Sequence, residues 1–109
     1  MNVDTILIVD DEPLMLDMLF EMLRDYAENI IPAESGARAL EVLAEIKKVD
    51  VVITDMKMPG MDGLQLLERI KAKDPFLPVV VMTGYGGVYD VDEIIRKGAE
   101  EYITKPFKE

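Results

Sequence analysis

The chain has 109 residues, half of them apolar, which is enough for one modest hydrophobic core and too short for two ordinary domains. It carries 22 acidic side chains against 12 basic ones, a formal charge of −10, so direct contact with nucleic acid or an anionic membrane is not expected. Cysteine and histidine are both absent, which excludes disulfides, thiolate and imidazole metal sites, Ser/His triads and a phosphohistidine formed by the chain itself.

In chain order, short apolar runs alternate with segments of helical period, the pattern of a parallel α/β sheet covered on both faces. Residues 1–5 carry no basic stretch ahead of the first apolar run, and no such run approaches the ~20 residues of a membrane span, so a cytoplasmic chain is expected. Ile6–Val9 reads as the first strand. Pro13 suits the opening turn of a helix that places Leu16, Leu19, Phe20 and Leu23 on one stripe and Met15, Met18, Leu19 and Met22 on its neighbour; core packing explains these methionines better than a binding surface. A weak strand lies near Asn29–Ile31, then Ser35 caps a second helix that turns Ala39, Leu40, Leu43 and Ile46 inward. Val51–Thr54 is the third strand. A third helix opens at Asp62 and Gly63, buries Leu66, Leu67 and Ile70, and ends near Asp74 and Pro75. After Val79–Thr83, a fourth helix carries Val88, Val91, Ile94 and Ile95 and stops at Gly98; Glu101–Thr104 is the fifth strand.

In an open parallel sheet, ligands sit beyond the carboxyl ends of the strands, near the point where strand order reverses. The residues at those ends are Asp10 and Asp11, Asp55, Thr83 with Gly84, and Lys105 with Pro106. Three carboxylates, a hydroxyl and an ammonium therefore converge on one edge. Clustered carboxylates repel one another unless a cation intervenes. Mg²⁺, an oxygen-seeking ion that binds through one or two carboxylates plus water and phosphate, fits that need, with Mn²⁺ as a substitute. Helix capping is the plainer reading of Asp10 or Asp11 taken singly; it does not explain Asp55 and Lys105 at sister strand ends.

Four segments now resemble the signature stretches of response-regulator receiver domains, the chemotaxis- and sporulation-regulator-like switches of two-component systems: residues 6–12 (ILIVDDE), 54–63 (TDMKMPGMDG), 82–86 (MTGYG) and 102–107 (YITKPF). The resemblance covers essentially the whole chain. It implies a flavodoxin-like, doubly wound five-stranded parallel sheet of order 2-1-3-4-5. It also implies that Asp55 is the phosphoacceptor and that Asp10, Asp11, Asp55 and the backbone carbonyl of Lys57 hold Mg²⁺. Lys105 and the Thr83 hydroxyl would contact the phosphoryl group, with the backbone N–H groups of Met56 and Gly84 completing its cradle. Thr83 and Tyr102 would form the switch, and Pro106 would aim Lys105 inward through a cis peptide. Gly63 is read as serving the backbone turn before the third helix.

The expected function is Mg²⁺-dependent acceptance of a phosphoryl group from a sensor histidine kinase or phosphotransfer protein. The chain promotes its own phosphorylation and dephosphorylation and is no conventional turnover enzyme. Residues 1–109 are read as one receiver domain, C-terminally incomplete, with four helices where the family has five. Self-association or lowered stability would follow from an uncovered sheet face near strands one and five, and the downstream output is unassigned. A flavodoxin-like cofactor binder fits less well because Asp10-Asp11-Glu12-Pro13 would repel a phosphate. An aspartyl-phosphate phosphatase lacks its usual Asp-x-Asp, and an unphosphorylated interaction module would not need the complete set of acids, Thr83 and Lys105.

Overall fold

Ile6, Leu7, Ile8 and Val9 are almost wholly removed from solvent, as a central strand with both faces covered requires. The computed structural model describes residues 3–46, 48–84 and 95–104, the last four through their backbone. Five strands form the sheet: β1 (Val3–Val9), β2 (Ala27–Ala33), β3 (Val51–Asp55), β4 (Val79–Thr83) and β5 (Glu101–Thr104). Every pairing is parallel and the order is β2-β1-β3-β4-β5, the flavodoxin-like arrangement expected from the sequence. Order reverses between β1 and β3, and that places the ligand crevice at their carboxyl ends.

Three helices are described: α1 (Pro13–Leu23), α2 (Gly36–Glu45) and α3 (Gly63–Lys73). Leu7, Val9, Val52, Val79 and Val81 point to the side covered by α2 and α3, where Ala39, Val42, Leu66, Leu67 and Ile70 complete the larger core. Ile6, Ile8 and Met82 point to the other side, against Leu16 and Leu19 of α1. On that second face Val51, Ile53 and Val80 stay half-buried among the described residues.

Several local expectations shift. β2 runs from Ala27 to Ala33 and includes Pro32, which an edge strand tolerates because its missing N–H costs no ladder bond on the open side. In α1, Leu16 and Leu19 are buried and Met15 packs beside them, whereas Phe20 and Met18 turn outward at 43% and 36% exposure. In α2 the inward line runs through Gly36, Ala39 and Val42, with Leu40, Leu43 and Ile46 at its margin. Of the fourth expected helix, Ile95 and Arg96 are helical, Ile95 is exposed, and Gly98 takes φ +113 as its N–H reaches the Ile95 carbonyl. Val88, Val91 and Ile94 lie outside the described residues.

Candidate functional site

The carboxyl edge is set by register. Val9 pairs with Thr54, and Asp55 with Met82, so the chain leaves β1, β3 and β4 at nearly one level. Asp10 follows β1, Asp55 closes β3 and Thr83 closes β4. Asp10 is fully buried, Asp55 is 6% exposed and Thr83 9%; Asp11 is exposed. One carboxylate oxygen from each of Asp10, Asp11 and Asp55 lies within 4.8 Å of the others.

Capping does not account for this cluster. Glu12 occupies the N-cap position of α1 without any side-chain cap bond, and Pro13 supplies the first helical residue. Asp10 Oδ1 accepts from the Glu12 N–H at 2.9 Å, which fixes the turn before the helix rather than the helix itself. Asp11 is then presented to solvent beside two buried carboxylates.

The donor set fits a hard divalent cation. Mg²⁺ holds oxygens at about 2.0–2.1 Å, so two oxygens on one ion stand about 3 to 4 Å apart. A spread of up to 4.8 Å is closed by a small side-chain movement or by one bridging water. Two buried acids and an exposed third offer the ion both low-dielectric attraction and a route in from solvent.

The β3–α3 connection holds Asp55 from behind. The Gly63 N–H donates to the Met56 carbonyl at 2.8 Å. A Cβ at position 63 would overlap the Asp55 carbonyl oxygen and lie 2.8 Å from Met56 Cα, so the helix start can approach β3 this closely only with glycine there. This corrects the reason expected for Gly63, since the positive φ of the connection belongs to Gly60, at +75. Asp62 and Gln65 close a capping box at 2.8 and 3.0 Å, anchoring the first turn of α3. The Thr54 hydroxyl donates to the Asp55 carbonyl at 3.0 Å.

One expected role is displaced. The Met56 N–H donates to the Met82 carbonyl at 2.9 Å, extending the β3–β4 ladder past the end of the strand. It could serve an anion only by breaking that bond. Lys57 is the next residue, exposed, and among the described residues its amide has no hydrogen bond. The candidate cradle amides are therefore those of Lys57 and Gly84. No sequence pattern marks where a ladder makes its last bond.

Beside Thr83, the register brings Thr104 of β5, with Tyr102 opposite Val81. The Tyr102 side chain, Lys105 and Pro106 lie outside the described residues. No helix among the described residues is long and apolar enough to cross a membrane.

Residues 6–109 match the family model described as response regulator receiver domain. The transcriptional regulatory protein GlrR of Escherichia coli strain K12 is 39% identical over 101 residues, covering 93% of this chain and 22% of GlrR. The chain thus spans about a fifth of the length of that relative. Among solved structures, a response regulator receiver domain protein from Clostridium thermocellum superposes with a TM-score of 0.89 at 34% identity, covering 96% of this chain and 84% of that one. The response regulator TrrA of Thermotoga maritima, solved in complex with Mg²⁺-BeF, gives 0.85 at 34% identity, covering 96% and 89%.

Proposed function

This chain belongs to the response regulator receiver domain family of two-component signalling, and from that premise we propose that Asp55 accepts a phosphoryl group, with Mg²⁺, from a partner histidine kinase or phosphotransfer protein. The observation that carries the proposal is the gathering of Asp10, Asp11 and Asp55 within 4.8 Å at the edge where strand order reverses. Asp10, Asp11 and Asp55, with the Lys57 carbonyl, would hold Mg²⁺ or Mn²⁺. The bound ion offsets charge on the transferring phosphoryl oxygens. The response regulator TrrA, solved in complex with Mg²⁺-BeF, supports the choice of Mg²⁺.

The remaining steps belong to the chain's own groups. A carboxylate oxygen of Asp55 attacks phosphorus; its new O–P bond forms as the P–N bond of a phosphohistidine, or the P–O bond of an acyl phosphate, breaks and the donor keeps the electron pair. The Lys57 and Gly84 N–H groups and the Thr83 hydroxyl donate to phosphoryl oxygens. Lys105 supplies a compact positive charge, with Pro106 directing it. Movement of Thr83 toward the phosphoryl group frees space for Tyr102, and that exchange alters the surface around β4 and β5 read by an output protein or attached domain. Residues 1–109 act as one receiver unit in the cytoplasm, promoting their own phosphorylation and dephosphorylation.

Incubation with acetyl phosphate and Mg²⁺ should add one acid-stable, hydroxylamine-labile phosphoryl group, read by intact mass. Asp55→Asn should add none, and chelation of the metal should stop the reaction in the parent chain. Equal labelling of the Asn variant overturns the assignment.

A further inference from the structure

At the opposite end of the molecule, the C-terminal turns of α2 and α3 enclose an apolar pocket of about 160 Å³, floored by Leu40, Leu43, Ile46, Ile70 and Leu77. A cavity of about 150 Å³ with such a lining holds a benzene ring. Arg69, Lys73 and Asp74 stand at the rim. Among the described residues neither Arg69 nor Lys73 forms an ion pair or a side-chain hydrogen bond, so the mouth carries two uncommitted cations against one carboxylate.

Beside this hole stands a matching knob. Phe76 is 90% exposed, the highest value among the large apolar side chains of the described residues, so its ring has the most to gain from a partner surface. Its N–H donates to Asp74 Oδ1 at 3.2 Å, which ties an aromatic ring and a carboxylate into one exposed unit. The pocket wants a ring with a nearby negative charge, and the chain displays a ring with a nearby negative charge.

We propose that a second copy of this chain fills the pocket, each Phe76 entering the other copy's α2–α3 cleft while each Asp74 faces the other's Arg69 and Lys73. Knob and hole share Asp74 and Leu77 as neighbours, so a two-fold axis passing between them brings both contacts together, as a closed isologous pair requires. The contact is small, and a weak dimer is the outcome. Each copy carries −10, whose long-range repulsion falls off over about 8 Å at physiological salt. This surface is remote from the acid cluster and does not depend on its chemistry.

Sedimentation of the 109-residue chain from about 10 µM to about 1 mM, the range of weak contacts, at physiological salt should show a monomer–dimer equilibrium. Burial of each ring is worth roughly a ten- to hundredfold change in dissociation constant. Phe76→Ser removes both rings and should leave monomer. Ala44→Phe, which fills the cleft from the exposed side of α2, should also leave monomer, with folding checked by an unchanged melting temperature. An equimolar mixture of the two variants keeps one intact knob and one intact hole and should associate more than either variant alone, roughly ten- to hundredfold more weakly than the parent. Asp55→Asn should associate like the parent. A monomeric parent throughout the range, or a Phe76→Ser variant that associates equally, overturns the proposal. So does a monomeric parent whose Leu43 and Ile70 amide signals shift on adding phenylacetate, which would make the cleft a site for a foreign aromatic acid.

Discussion

At the edge where the strands begin, Asp50 Oδ2 accepts from the Asp4 and Thr5 N–H groups at 3.0 and 2.9 Å, and the Lys71 ammonium donates to the Leu77 carbonyl at 2.7 Å, the Pro75 carbonyl at 3.3 Å and Glu100 at 3.3 Å. At the edge where they end, Asp10, Asp11 and Asp55 crowd together with charges of one sign. The first edge uses each charge to close backbone groups that a strand or helix terminus leaves open. The second gathers three carboxylates where strand order reverses, the place at which an open parallel sheet offers a ligand its crevice. Neutralising a charge should therefore lower stability at one edge and raise it at the other.

The largest effect tests how tightly the ligand edge is built. Gly63→Ala sets a methyl group against the Asp55 carbonyl and Met56, where the obstacle is backbone and cannot swing aside. Overpacking against backbone should cost about 3 kcal/mol, and the melting temperature should fall by roughly 12 °C or more. Phosphorylation should slow as well, because Asp55 is displaced. A loss under about 1 kcal/mol in urea unfolding would mean that α3 can back away from β3 freely.

The second effect belongs to the structural edge alone. Lys71 is 14% exposed at its side chain, and its stem packs against Gly98, so its ammonium clips the end of α3 to the turns that lead into β4 and β5. Lys71→Met keeps the stem and removes the donors. Hydrogen bonds from a charged group are worth about 1.5–3 kcal/mol, and Glu100, largely exposed, adds little. A loss of about 2 kcal/mol is expected with phosphoryl incorporation at the parent level. Urea melts combined with labelling by acetyl phosphate measure both, and a variant that keeps its stability but loses labelling would dissolve the distinction between the edges.

The same contrast governs what the sequence discloses. The strands and the site's position were legible because both follow from periodicity and topology: buried β1, β3 and β4 are apolar runs, and acids stand at the ends of β1 and β3, whereas strand order entered through the family resemblance. The cap of α3 was legible because Asp62 and Gln65 act within one turn. What stayed hidden depends on packing between distant segments. Phe20 sits on the expected apolar stripe of α1, yet it turns outward while Leu16 and Leu19 are buried, a choice made by how the helix docks on the sheet and not by the stripe itself. β2 extends beyond the expected Asn29–Ile31 to Ala27–Ala33, and its edge position lets the strand continue past Pro32. The resemblance points to the Met56 amide for the cradle, and nothing local in the sequence reveals that the Met82 carbonyl holds it.

The smallest effect carries the most discriminating sign. Asp11 is exposed and caps nothing, so in Mg²⁺-free buffer its charge contributes chiefly repulsion toward Asp10 and Asp55. Asp11→Asn keeps the shape and deletes that repulsion, and solvent screening holds the gain to a few tenths of a kcal/mol, about 1 at most. Mg²⁺ reverses the ranking. An ion that binds only the folded chain stabilises it by about 1.4 kcal/mol at ten times its dissociation constant, and the variant, short of one ligand, binds more weakly and gains less. Melting curves of parent and variant should therefore cross as Mg²⁺ is added, the variant melting higher without metal and the parent higher with it. Had the acids been a structural device like Asp50, the variant would melt lower at every Mg²⁺ concentration and the two curves would rise in parallel.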